Sequence, residues 1–366
     1  MMQKAMTKGS YAYRASLAAG ALVFSGALLA AAVAVPASAQ SEPPKPEQIV
    51  INDSGGDMQS AMRRIFYSEF EKRYGIRIVN TSPLDLGKLR AMVNSGNIDW
   101  AVTELTGEDA VQAEKAGLLE PLDHKIIDFS AYPENLRDRK YIFPKSVYST
   151  VIAYNTDVFK GDNHPKSWAD FFDVEKFPGM RSMQNTPIEN LEFALLADGV
   201  PADKLYPLDV DRAFRKLDTI KKHVAVWWTT GAQSAQVLVD KEVDMGTAWN
   251  GRVWSLMKEN APVAIEWNQG AIKESAFGIP AGAPNAYWGQ KFLALAAEAK
   301  LQGVYAEVIG YPGLNLDALQ FTDPKVAPFL PTYPDHLKKQ FWTNIAWWSE
   351  NGAAIKERWS RWVLEN

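Results

Sequence analysis

The chain has no cysteine and only four histidines in 366 residues. Without cysteine there are no disulfides, no thiolate metal sites and no thiol nucleophile. His124, His164, His223 and His336 stand far apart, and none has a partner at metal-ligand spacing. A GxSxG nucleophile elbow and an HExxH helix are missing too. There is no excess of positive charge: 39 Lys and Arg against 43 Asp and Glu give a formal charge of −4. A mildly acidic protein is a poor partner for nucleic acid or anionic lipid, so no nucleic acid is expected.

What is present begins at the N-terminus. Residues 1–14 carry Lys4, Lys8 and Arg14 and no acid, and residues 17–35 are nearly all Leu, Ala, Val and Gly. Ala37-Ser38-Ala39 then places small residues where a signal peptidase reads. That order is a cleavable secretory signal over residues 1–39. Its apolar core is short for a membrane span and is interrupted by Pro36. The mature chain is expected to start at Gln40, where a lipoprotein would need Cys, so an unanchored periplasmic product is expected. Losing Lys4, Lys8 and Arg14 takes the formal charge from −4 to −7. About 327 residues remain, more than one core usually organises, and two lobes are expected.

Strand and helix patterns alternate along that length. Gln48–Asn52 reads as a strand and Ser54-Gly55-Gly56 as a turn. A helix follows from about Asp57 to Tyr74, with Met58, Met62, Ile65, Phe66 and Phe70 at helical spacing and Gly75 as its stop. A strand over Ile76–Asn80, a helix over Leu86–Ser95 and a strand over Asp99–Val102 complete a parallel α/β pattern. The run STVIAYNTDVF from Ser149 can carry the chain out of this half. A second alternation follows: a helix capped by Asp209 or Asp211, strands over Val224–Trp228 and Val243–Trp249 with a helix over Gln233–Asp240 between them, and a helix opened by Arg252. Val263–Trp267 and Ala276–Ile279 read as further strands, Asn285–Ala299 as an amphipathic helix, and about His336 to Leu364 as a last helical region. Two α/β halves imply a cleft between them, as in proteins that close about a hinge.

Four places could carry chemistry. The Ser54-Gly55-Gly56 turn ends a strand and starts a helix, where the backbone of Ser54 and Gly55 can meet a ligand; it is equally a tight connection. Glu104 follows the third strand at a similar sheet end, as a ligand acid or a solvated one. Glu189 stands near a helix start, where an acid also favours the dipole. In Trp249-Asn250-Gly251-Arg252 an apolar strand ends in Trp and a helix begins with Arg. A cation there opposes the helix dipole, so local stability does not explain Arg252. It wants a partner acid or an anionic ligand group, and guanidinium binds carboxylate in a directional, paired contact. Thirteen tryptophans fill core, yet Trp227, Trp228, Trp249, Trp254 and Trp267 also cluster as walls of a cleft would.

The segments VIAYNTDVF (151–159), HPKSWADFFDVEKFPG (164–179), EFALLADG (192–199), MGTAWNGR (245–252), FGIPAGAPN (277–285) and IGYPGLN (309–315) carry a resemblance. On them the chain resembles the spermidine/putrescine-type periplasmic solute-binding proteins of ABC transporters, over nearly all of the mature length. The resemblance implies an α/β, two-lobe periplasmic-binding-protein fold, hinge-connected, with one ligand trapped in the cleft. The lobes are expected over 46–148 plus 277–325 and over 149–276 plus 326–366. It implies a monomer that delivers its solute to a permease and ATPase complex in the inner membrane. No enzyme activity, cofactor or metal is expected. By position, the resemblance assigns ligand contacts to Glu189, Trp249 and Tyr311. Trp228 is expected as a further wall, and Gln233, after the TTG loop at a helix start, as a polar contact.

The chain departs from that family at the ends of the ligand. Glu104 stands where polyamine binders place Ser. Arg252 stands where some carry an acid, and Ser275, with Glu274 beside it, replaces another. A polyamine has no anionic end, so a cleft-facing Arg252 fits a zwitterion better, for example an ω-amino acid such as γ-aminobutyrate. If Arg252 pairs with a protein acid, putrescine or spermidine stays open. A ferric-ion receptor of the same fold would need clustered tyrosines, and no adjacent pair occurs. A secreted hydrolase would need catalytic groups that the sequence does not display.

Overall fold

The computed structural model describes residues 42–365, so the expected signal segment lies outside the described residues. Strand β1 (Gln48–Asn52) pairs in parallel with β2 (Arg77–Thr81) and β3 (Trp100–Thr106). A helix between β1 and β2 covers Gly56–Met62 and Ser68–Tyr74, joined by a π-helical turn over Arg63–Tyr67. Its Met58, Met62, Ile65, Phe66 and Phe70 are all buried, as their spacing predicts, and Gly75 ends it in the left-handed conformation. The extra residue of the π turn has no sequence signature; within it, Tyr67 is fully buried. The helix Leu86–Ser95 is capped by Asp85, whose side chain accepts from the Lys88 N–H at 2.8 Å.

The second parallel set is β5 (Arg181–Gln184), β6 (Val224–Trp228) and β7 (Met245–Trp249). Two long strands join the sets: β4 (Phe143–Asn155) and β8 (Val263–Gly278) run antiparallel to each other, β8 also pairs with β3, and β4 with β7. The sheet order is β2-β1-β3-β8-β4-β7-β5-β6, and the short β9 (Phe341–Trp342) lies beside β8. The stretches read as separate strands, Val263–Trp267 and Ala276–Ile279, thus belong to one strand. Asn268-Gln269-Gly270 looks like a break, and Gln269 does take a positive φ of 60°, but pairing with β4 resumes beyond it. The helix expected over 285–299 ends at Ala296, and a second one, Ala299–Ile309, follows.

Apolar side chains gather in two large clusters. One holds Phe66, Phe70, Trp288, Phe292 and Tyr305. The other holds Trp168, Phe193 and Phe214 together with Trp348, Trp359 and Trp362 from the helix Ile345–Leu364. Each large side chain taken out of water contributes roughly 1.5–3 kcal/mol, which is how a chain without disulfides is held. Along β4 the change from one cluster to the other falls between Val147 and Ile152, and along β8 between Ala271 and Ile272.

Candidate functional site

Strands β1, β3 and β7 point their carboxyl ends at one cavity of about 170 Å³. That is many times the ~10–15 Å³ needed to hold a single water. Its wall is Ser54, Met58, Leu84, Glu104, Leu105, Thr106, Tyr148, Trp249, Arg252, Ser275 and Tyr311. Six residues expected from the sequence therefore meet here: Ser54, Glu104, Trp249, Arg252, Ser275 and Tyr311. They come from the β1 turn, the end of β3, the end of β7 with the helix Asn250–Lys258, the far part of β8 and the segment after Gly310. Ligands of open α/β sheets bind at such strand ends.

Part of the cavity wall is acidic. Glu104 is 2% exposed; its Oε2 accepts from the Ser54 N–H at 3.1 Å and its Oε1 from Lys145 Nζ at 2.7 Å. Ser275 Oγ sits 2.9 Å from Ser146 Oγ. Glu274 points to the other face of β8 and pairs with Arg139. Behind the Ser54 turn lies Asp53, fully buried, accepting from Tyr67 Oη at 2.7 Å, Gln59 Nε2 at 3.0 Å and the Gly55 N–H at 3.0 Å. Burial holds the Asp53 carboxyl above its usual range, against the pull of these hydrogen bonds. Gly55 takes a positive φ of 74° to make the turn. Its N–H is spent on Asp53, and Gly55 is not among the cavity-wall residues.

Another part of the wall is rich in donors. Arg252 Nη1 lies 3.4 Å from Asp57 Oδ2, but the Asp57 side chain is 83% exposed, so this ion pair is loose and solvated. Arg252 Nε, Trp249 Nε1 and Tyr311 Oη are buried and have no hydrogen-bond partner among the described residues. A buried donor left unmade costs about 1–3 kcal/mol, and all three belong to residues of the cavity wall. The Tyr148 and Tyr311 rings stand 5.4 Å apart, a pair that the sequence does not place side by side. Burial pushes the Tyr148 hydroxyl up to about 12, and the Tyr311 hydroxyl also upward, so both are held as neutral phenols.

Four expected contacts lie elsewhere. Trp228 is fully buried behind Trp249, edge-on to it at 5.5 Å, with its Nε1–H donating to Thr247 Oγ1. Gln233 is exposed, and its Oε1 accepts from the Thr229 N–H. Gly55 has been placed in the turn. Glu189 is 1% exposed and lies 3.2 Å from Lys273 Nζ; it also accepts from Thr150 Oγ1 at 2.5 Å and Thr343 Oγ1 at 3.4 Å. Those partners come from β8, β4 and the segment after β9. Lys273 Nζ in turn sits 5.4 Å from the Tyr148 ring. Burial pushes the Lys273 ammonium down, and the Glu189 carboxylate more than reverses this. Glu189 therefore has its ammonium supplied from within the chain, one layer behind the cavity. Of the clustered tryptophans only Trp249 faces the cavity: Trp227 packs on Trp359 and Trp362, Trp254 on Phe329, and Trp267 on His336. Met58 and Tyr148 read only as core and strand residues in the sequence, and Lys145 and Lys273 carry no motif. Both lysines lie outside the strands expected from the sequence, so neither stood out there.

The model of the family described as bacterial extracellular solute-binding protein matches residues 66–334. The chain belongs to that family. Among its relatives, this solute-binding protein is 32% identical to the gamma-aminobutyric acid-binding protein of Pseudomonas aeruginosa, over 92% of this chain and 95% of the relative. It is 25% identical to the spermidine/putrescine-binding periplasmic protein of Escherichia coli, over 75% and 82%. Among solved structures, the Atu4243 GABA receptor superposes with a TM-score of 0.81 at 38% identity, covering 87% of this chain and 98% of that one. The two-lobe periplasmic-binding-protein fold expected from the sequence agrees with these likenesses.

Proposed function

We propose that this solute-binding protein is the periplasmic receptor of an ABC importer and that it captures a small zwitterion, an ω-amino acid such as γ-aminobutyrate. The observation that carries the reading is the charge pattern of the cavity. Its wall holds one acid, Glu104, and one cation, Arg252, with unpartnered donors on Trp249 and Tyr311 beside the cation. In this reading a ligand carboxylate sits against the donor-bearing side chains of Arg252, Trp249 and Tyr311, and a ligand ammonium meets Glu104 and Ser275. Met58, Leu84, Leu105 and the Tyr148 ring cover the methylenes between. A diamine satisfies none of the three donors and sets a cation against Arg252. The GABA-binding relatives, at 32% and 38% identity, support the same choice over a polyamine.

The two apolar clusters support the expected lobes, hinged where β4 and β8 pass from one to the other. Ligand closes the lobes, water leaves, and each charged contact strengthens in the lower dielectric. The closed monomer then delivers its cargo to a membrane permease driven by an ATPase; no covalent chemistry is involved. The secretory leader pattern and the periplasmic relative support the location.

Calorimetry of Arg252→Ala tests the reading. Removing one partner of a buried charged hydrogen bond costs about 2–5 kcal/mol, so γ-aminobutyrate affinity is expected to fall by at least ~30-fold. Unchanged affinity would take Arg252 out of the site.

A further inference from the structure

Lys145 lies on β4 with its side chain 4% exposed, and its Nζ donates to Glu104 Oε1 at 2.7 Å. The Phe277 and Tyr305 rings stand 5.2 and 5.8 Å from that nitrogen. A carboxylate with aromatic faces around it is how a protein holds an alkylammonium guest in a dry site. Here the guest is tethered, because four methylenes join the ammonium to the backbone. Lys145 is not part of the cavity wall, so it reaches Glu104 from outside the cavity.

Resting on the ω-amino-acid reading, we infer that Lys145 sets how many ammonium groups the cavity accepts: it occupies one oxygen of Glu104, leaves a grip for a single ligand ammonium and excludes diamines. The formal charges agree. Asp53 and Glu104 are the buried acids here, and Lys145 offsets one of them. One ligand ammonium balances what remains. A second would be surplus and would face Arg252. Without Lys145, two negative charges stand uncompensated and the space of an aminobutyl group opens beside them, a match for a dication. Lys145 acts through Glu104, so it is a positioning residue for specificity and touches no ligand.

Calorimetric titration of γ-aminobutyrate and 1,4-diaminobutane into the mature protein, Lys145→Gln and Lys145→Arg separates the cases. The unsubstituted protein is expected to favour the amino acid. Lys145→Gln is expected to move the affinity ratio toward the diamine by at least ~10-fold, and Lys145→Arg, which keeps the charge, to leave it within ~3-fold. A purely structural role for Lys145 would weaken both ligands alike, and an unchanged ratio in Lys145→Gln overturns the inference. If that variant shows no cooperative melt, diamine binding by the unsubstituted protein within ~3-fold of γ-aminobutyrate overturns it instead. An unsubstituted protein that binds diamine and no amino acid contradicts the receptor reading itself; one that binds the amino acid while the Lys145 ratios stay fixed leaves that reading standing and removes only the role of Lys145.

Discussion

Glu192, on the helix Asn190–Ala197, shows how much one side chain can weigh. Its Oε1 accepts from Tyr206 Oη at 2.5 Å and Trp348 Nε1 at 2.6 Å, while Oε2 is buried without a partner among the described residues. Burial pushes this carboxyl up to about 7, more than the two hydrogen bonds pull it down. An acid whose folded value is raised binds a proton that the unfolded chain has already released. Stability then falls as pH rises from about 4.5 to 7, by up to about 3 kcal/mol. Glu192→Gln removes that titration, so urea unfolding across pH 5–8 should show a flatter stability profile in the variant; an unchanged slope would mean the carboxyl titrates normally. Arg252 announced itself in the sequence because a cation at a helix start violates a local rule. Lys145 and Lys273 could not, since their acids lie 41 and 84 positions away and meet them only across the folded sheet.

At the level of elements, local chemistry was legible and long-range pairing was not. The helix Leu86–Ser95 has the limits read from the sequence. The helix of Arg252 starts at Asn250, two residues before the start expected at Arg252. The continuity of β8 was hidden because its interruption at Gln269 looks like a turn and only the partner strand carries the ladder through. The same limit hid the role of Glu189, whose partners Thr150, Lys273 and Thr343 come from three separate segments. Close packing behind the cavity gives a test at this scale. A Cβ at Gly231, at the start of the helix Gly231–Val239, would come within 2.5 Å of the Trp249 ring and 3.0 Å of Arg252 Nε. Gly231→Ala is thus expected to push both side chains from their places and weaken ligand binding by about 10-fold or more while the fold survives, since overpacking costs ~1–3 kcal/mol. Unaltered affinity with an unaltered melt would show that the wall yields freely.

For the whole molecule, two apolar clusters share one sheet through two long antiparallel strands, and the cavity draws on residues around the change from one to the other. A receptor built this way gains stability from its ligand alone, about 2.7 kcal/mol at a hundred times Kd. Of all this, the α/β class and the wall residues Ser54, Glu104, Trp249 and Arg252 were readable from strand ends and a local motif, while Ser275 and Tyr311 came from the family resemblance. The division of charge inside the cavity was not, because it depends on which carboxylates the chain neutralises for itself. In the proposed complex a solute with one ammonium and one carboxylate bridges Glu104 and Arg252. Side-by-side calorimetry of three four-carbon solutes isolates that point: γ-aminobutyrate has both groups, 1,4-diaminobutane lacks the carboxylate and butyrate lacks the ammonium. γ-Aminobutyrate should bind one to one and at least ~100-fold more tightly than either, since each missing group strands a buried partner. Equal or tighter binding of 1,4-diaminobutane or butyrate would contradict the account.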